Sequence, residues 1–238
     1  MHSFTSTVRY SECDQNSQLT IPAAINYLQD CSMFHCEHVG HGLAYAREHG
    51  IAWFAIAWQI QIVRLPRFCE PIRMCTWCNE MGSTLARRSY TIEDADGSFL
   101  VKAEALCALV NTSTGRAMRI PEDESLFLSD EPSLDMPKTM RKVNLSGNGE
   151  RALQLEVTER LIDSNGHVNN VQYIAIAEDV VRTRDEAFEI GRILVQYRVS
   201  AHLGDTIVAN LHQEDDGYGI DLADLEGKSF AVVKLLRH

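Results

Sequence analysis

"VTERLIDSNGHVNNVQYIAIAED", residues 157 to 179, decides the fold, because "VRYSECDQNSQLTIPAAINYLQD", residues 8 to 30, lies over it at an offset of 149 positions. Val8, Asp14, Asn16, Ile25 and Asp30 fall on Val157, Asp163, Asn165, Ile174 and Asp179. Further on the offset is 135: "IQIVRLPRFCEPI" (60 to 72) lies over "VQYRVSAHLGDTI" (195 to 207), pairing Gln61 with Gln196, Glu70 with Asp205 and Ile72 with Ile207. Then "DGSFLVKA" (96 to 103) resembles "EGKSFAVVKL" (226 to 235). Three blocks recurring in one order form an internal repeat. Two copies are too few for a solenoid, so two homologous subdomains packed as a pair are expected.

Each copy reads as one strand, one helix, then several strands. In the first, residues 4 to 12 suit a strand. Ile21, Ala24, Ile25, Leu28, Cys31 and Val39 carry helical spacing through about residue 47, with Pro22 near the helix start. After Gly50 the period becomes two, with Ile56, Trp58, Ile60 and Ile62 on one face. Strands follow at 71 to 81 and 85 to 93, and "DADG" turns into a strand at 98 to 111. The second copy reads as strands near 152 to 161, 192 to 200, 205 to 213, 217 to 224 and 228 to 236, with a helix from about 168 to 187. An α+β fold, each half a curved antiparallel sheet wrapped around a long helix, satisfies both periods. Residues 1 to 128 form the expected first half, 129 to 149 a connector and 150 to 238 the second half. The wider stretch 121 to 150 is aperiodic and rich in Pro, Ser, Asp and Glu.

At 238 residues and 45% hydrophobic content the chain suits an ordinary globular protein. No run reaches the length of a membrane span and the N-terminal stretch lacks a leader pattern, so a cytoplasmic protein without membrane insertion is expected. Its 7 cysteines all lie in the first half and are odd in number, which fits reduced thiols better than a disulfide framework. A net charge of -11 disfavours nucleic acid as a partner.

Within "DSNGHVNN" (163 to 170), Asp163 or Asn165 suffices to cap a helix, but a cap does not require His167, Asn169 and Asn170 as well. The first copy keeps Asp14 and Asn16, yet has Gln18 where the second has His167, and Thr20 and Ile21 where it has Asn169 and Asn170. Only the second copy acquires an imidazole, the side chain that exchanges protons near neutrality.

The pattern Asp163-x-Asn165-x-His167-Val168-Asn169-Asn170-x-x-Tyr173, set in a duplicated chain, resembles the acyl-acyl carrier protein (acyl-ACP) thioesterases of bacteria and plant plastids. The resemblance covers almost the full length. It implies a tandem hot-dog fold, catalysis in the second half, and an acyl pocket built largely by the first. It also implies catalytic roles for Asp163, Asn165 and His167, acyl carrier protein bearing a fatty acyl chain as partner, and no cofactor. Where the family often has Tyr-Arg-Arg-Glu-Cys, this chain reads Tyr197-Arg198-Val199-Ser200-Ala201, so Ser200 replaces the usual carboxylate. Under this reading His167 takes a proton from water attacking the thioester and Asn165 positions water or the carbonyl oxygen. Asp163 supports the imidazole, and Gly166, Asn169, Asn170 and Ser200 are candidate oxyanion or supporting residues.

Acyl-CoA hydrolysis differs only in the carrier. Enoyl-thioester hydratases share the fold type, but their Asp-x-Asn-Pro-x-His spacing does not match. A noncatalytic acyl-chain or carrier-binding module is the rival from another class. Trp53, Phe54, Trp58 and Met74 are candidates to line an acyl pocket, although core packing is their default role. His35, His38 and His41 diverge around a helix, and Cys75 and Cys78 lie three apart in a strand, so neither set suggests a metal or redox centre. Arg64, Arg67 and Arg73, or Arg87 and Arg88, are candidates for a basic patch facing an acidic carrier. Monomer and homodimer both remain open, because tandem halves satisfy internally what single-copy relatives obtain by pairing.

Overall fold

The two periodicities in the sequence become two kinds of element in the computed structural model, which describes residues 1–238. In chain order these are β1 (His2–Thr7), α1 (Ile21–His38), α2 (Leu43–His49), β2 (Ile51–Ile62), β3 (Pro71–Met81), β4 (Leu85–Glu93), β5 (Phe99–Asn111) and β6 (Arg116–Ala117). There follow β7 (Glu150–Glu156), α3 (Asn170–Arg184), β8 (Arg192–Tyr197), β9 (Thr206–Glu214), β10 (Gly217–Ala223) and β11 (Ser229–Leu236). No helix is long and apolar enough to cross a membrane.

The chain divides into one compact unit of residues 1–56 and 60–139 and another of 57–59 and 140–238. In the first unit the strands run β1-β3-β4-β5-β2; in the second, β7-β9-β10-β11-β8. Replacing each strand by its repeat partner turns one order into the other. The duplication extends to irregularities: the register slips at Ile92/Glu93 between β4 and β5, and at Leu222/Ala223 between β10 and β11. Each slip precedes an Asx turn in which Asp94 or Asp224 Oδ1 accepts two backbone N–H bonds at 2.8–3.0 Å. Each half is thus a hot-dog, a sheet packed on one helix. On α1 the residues Ile21, Ala24, Leu28, Cys31 and His35 are buried, and on α3 Val171, Ile174, Ala177 and Val181, at spacings of three or four.

Several boundaries differ from expectation for local reasons. The first helix stops at His38 because Gly40 adopts φ +82°, and a separate short helix begins after Gly42. Gly42 packs against the Glu37 carboxylate, whose Oε1 accepts the Leu43 N–H at 2.8 Å, leaving no room for a Cβ. The strand expected to run to residue 12 ends at Thr7, and Tyr10–Glu12 forms a 3-10 turn. Glu12 closes that turn, accepting from Arg9 N at 3.0 Å and Tyr27 Oη at 2.7 Å. In the second half Glu159–Leu161 is the matching 3-10 turn. The stretch after Ile120 is more than a surface connector. Glu124 and Phe127 are buried, and Glu124 takes hydrogen bonds from Trp53 Nε1 at 2.7 Å and pairs with His41 Nδ1 at 3.0 Å. Farther on, Thr139 N donates to the buried Glu104 carboxylate at 2.7 Å. Polar partners seated one by one leave no periodic signature in a sequence.

Beside α1 the polar core of the first unit carries a charge. Arg88 is buried next to Phe127 and donates from Nη1 to His35 Nδ1 at 2.9 Å and to Thr76 Oγ1 at 3.3 Å. Burial, then the Arg88 guanidinium, then His2, the N-terminal ammonium and His38, lower the His35 pKa to about 3. Folded His35 therefore resists a proton that the unfolded chain binds below about pH 6.5. Its contribution to stability is present above that pH and is lost as pH falls toward 3, at up to about 1.4 kcal/mol per pH unit. Urea unfolding between about pH 6.5 and 4 is expected to show this slope, and His35→Gln to flatten it by up to that amount. An unchanged slope would refute the assignment.

Candidate active site

Two successive turns form the loop before α3. Asp163 N donates to His167 O at 2.8 Å, and Gly166 N to Asp163 O at 3.0 Å. Asp163 Oδ1 accepts the Asn165 N–H at 2.8 Å. This Asx-type turn needs a left-handed residue at its fourth position, and Gly166 supplies it at φ +78°. The first copy builds the same object: Asp14 N donates to Gln18 O at 2.8 Å, Ser17 N to Asp14 O at 3.0 Å and Asn16 N to Asp14 Oδ1 at 2.8 Å, with Ser17 at φ +58°.

The helix cap is neither Asp163 nor Asn165, as expected from the sequence, but Asn169, whose Oδ1 accepts the Val171 N–H at 3.0 Å. Its repeat partner Thr20 caps α1 in the same way, accepting from Ala23 N at 3.3 Å. Residues 163–167 therefore precede the helix rather than forming its first turn. The amide of Gly166, expected to be open to a carbonyl oxygen, is occupied by Asp163 O. The Asn170 amide, first in α3, has no protein acceptor, and its own carbonyl accepts from Tyr197 Oη at 3.0 Å.

A backbone staple sets what faces His167. Val168 N donates to Ala201 O at 2.9 Å, and Ala201 N donates to the buried Tyr173 hydroxyl at 3.0 Å. The segment 199–202 is thereby held against the loop. Burial raises the Tyr173 phenol pKa, partly offset by the Ala201 N–H. The half-buried His167 imidazole makes no protein hydrogen bond; its ring lies edge to face with His202, centroids 4.8 Å apart and planes at 75°. Asp163 makes no hydrogen bond or ion pair with that ring. Asn165 is exposed and Ser200 half-buried. Ser200 and His202 also line a cleft of about 490 Å³ together with Val199, Asp205, Lys228 and Phe230.

Trp53 is spoken for by Glu124, Met74 is fully buried in β3, and Trp58 is buried in the segment 57–59. Met74 and Trp58 thus occupy core positions, while Trp53 is partly buried at the edge of the core. Arg64 pairs with Glu70 at 2.5 Å, Arg73 with Glu93 at 3.9 Å and Arg87 with Glu104 at 2.8 Å, and Arg88 is interior; of these candidates Arg67 alone is exposed without an ion pair. Sequence reading passed over His202. The offset of 135 that paired Glu70 with Asp205 also pairs Arg67 with His202, and that alignment was the available signal.

Residues 2–126 match the family model described as acyl-ACP thioesterase N-terminal domain, and residues 148–232 the one described as acyl-ACP thioesterase C-terminal domain. An acyl-[acyl-carrier-protein] hydrolase of Cuphea viscosissima is 25% identical over 205 residues, 81% of this chain and 50% of the relative. An oleoyl-acyl carrier protein thioesterase of Arabidopsis thaliana is 27% identical over 218 residues, 84% of this chain and 59% of the relative. The chain thus spans about half the length of the curated relatives it matches. The crystal structure of an acyl-ACP thioesterase from Bacteroides thetaiotaomicron superposes with a TM-score of 0.89 at 21% identity, covering 98% of this chain and 96% of that one.

The left-handed turn makes a distinct prediction. No atom lies within 4 Å of a Cβ built on Gly166, so substitutions there act through backbone strain alone. Gly166→Val is expected to cost about 1–2 kcal/mol in urea unfolding, and Gly166→Asn clearly less, because Asn tolerates this region. Equal losses would mean that the turn rearranges.

Proposed function

We propose, from the premise that the chain belongs to the acyl-ACP thioesterase family, that it hydrolyses fatty acyl-ACP thioesters to free fatty acid and carrier thiol, with His167 as general base. The observation that carries this reading is the half-buried imidazole beside the start of α3, where the first copy has Gln18 tied by Nε2 to Leu65 O at 3.2 Å. The His167 ring has no such tie and is open to take a proton.

In the proposed reaction His167 accepts a proton from water as the water oxygen bonds to the thioester carbonyl carbon. Negative charge moves onto the carbonyl oxygen, toward the unoccupied Asn170 N–H and the positive end of α3. Collapse breaks the C–S bond, and the imidazolium returns its proton to the departing thiolate. The exposed Asn165 amide orients the water. Asp163 acts by holding the loop and by placing negative charge near the forming imidazolium. Water is the nucleophile in this scheme, since every cysteine lies at or before Cys107 and Ala201 has no reactive side chain. Exposed Arg160 and Arg198, on the segments flanking the loop, have no carboxylate partner and suit an acidic carrier.

The test is free-acid release from acyl-ACP of several chain lengths, with matching acyl-CoA esters in parallel. His167→Ala, with unchanged unfolding behaviour, is expected to lower kcat by about 10²-fold or more. Turnover that survives the substitution would remove His167 from the mechanism. Binding of acyl-ACP by the wild type without any turnover would replace the enzyme reading with a binding module.

A further inference from the structure

We propose that His202 is a positioning residue for His167, fixing the plane of its imidazole through the edge-to-face ring contact at 4.8 Å. This assignment rests on the reading of His167 as the general base. A base with no hydrogen bond on either ring nitrogen needs another restraint, since proton transfer requires the ring held close to one orientation. His202 is itself well placed to provide it. Its backbone N–H donates to Asp205 Oδ2 at 2.8 Å, and the neighbouring Ala201 is bonded through both N and O, to Tyr173 and Val168, so the main chain beneath the ring is fixed. One side of the ring meets His167, while the residue also lines the 490 Å³ cleft with Ser200.

The repeat supplies an internal control. Gln18 and Arg67, the counterparts of His167 and His202, form an isolated antiparallel bridge, and Arg67 N donates to Glu70 as His202 N does to Asp205. Both halves therefore build the same facing pair of positions. In the first half, Gln18 is restrained by its hydrogen bond to Leu65 O. In the second, the counterpart of Leu65 is Ser200, no such bond forms, and the facing residue is a ring. The first half has an imidazole at neither position, and in the second half the two rings meet.

His202 is exposed, so its replacement leaves the core intact. His202→Ala is expected to lower kcat on acyl-ACP by roughly 10-fold or more with KM nearly unchanged, and His202→Phe, which keeps the ring contact, to retain most of the wild-type kcat. Wild-type kcat in the Ala variant would overturn the proposal, as would a Phe variant as slow as Ala. The His167 ring-proton NMR resonances of the free protein give a readout independent of turnover. They are expected to shift in His202→Ala, and unshifted resonances would also overturn it. If the wild type releases no acid from acyl-ACP, the hydrolase reading fails, while the NMR comparison still decides the ring contact.

Discussion

The hydrogen bond from Val168 N to Ala201 O is the constraint on which the second half's candidate site depends. It joins the loop that enters α3 to the segment that leaves β8, two stretches more than thirty positions apart in sequence. Leu19 N to Pro66 O, at 2.8 Å, does the same in the first half. Around each bond lies the same set: an Asx-type turn, a 3-10 turn before it, a capped helix after it, and an acidic residue closing the turn that follows the strand. The backbone frame is thus independent of the side chains mounted on it. That independence allows one copy to carry Gln18 and Arg67 and the other His167 and His202 without a change of fold.

The halves also differ in how they treat buried polarity. The first unit buries Arg88, His35, Glu104 and Glu124 and satisfies them with specific partners, a costly arrangement unless each hydrogen bond is made. The second unit buries one carboxylate, Glu214, satisfied by Lys234 at 2.6 Å and by Ser146, and on α3 it buries Tyr173, whose hydroxyl serves the staple. His167, the proposed base, sits outside the core on a half-buried loop before α3.

Much of this was legible from periodicity. The strands expected at 71–81 and 85–93 have those bounds. The break at Gly40, the 3-10 turns and the docking of Glu124 were not legible. Each depends on a partner distant in sequence or on one glycine conformation. The pattern around His167 placed a loop before the second long helix, as observed, but the cap was misassigned. Asp163 and Asn165 have the composition of a cap, and only the structure shows the Asp163 carboxylate spent on the turn and the Asn165 side chain turned to solvent, leaving Asn169 to meet the helix amides.

What the sequence by itself determined is the duplication, the order of elements in each half and the presence of an imidazole in only one copy. These are properties of spacing and composition, preserved along the chain. Only the tertiary structure decided which groups meet. His167 faces His202, the Gly166 amide is consumed while that of Asn170 is not, and of the candidate arginines all but Arg67 are paired or buried. Such outcomes turn on hydrogen bonds closed between remote segments, where a displacement of an ångström or two decides whether a donor is occupied, and local sequence carries no record of that distance.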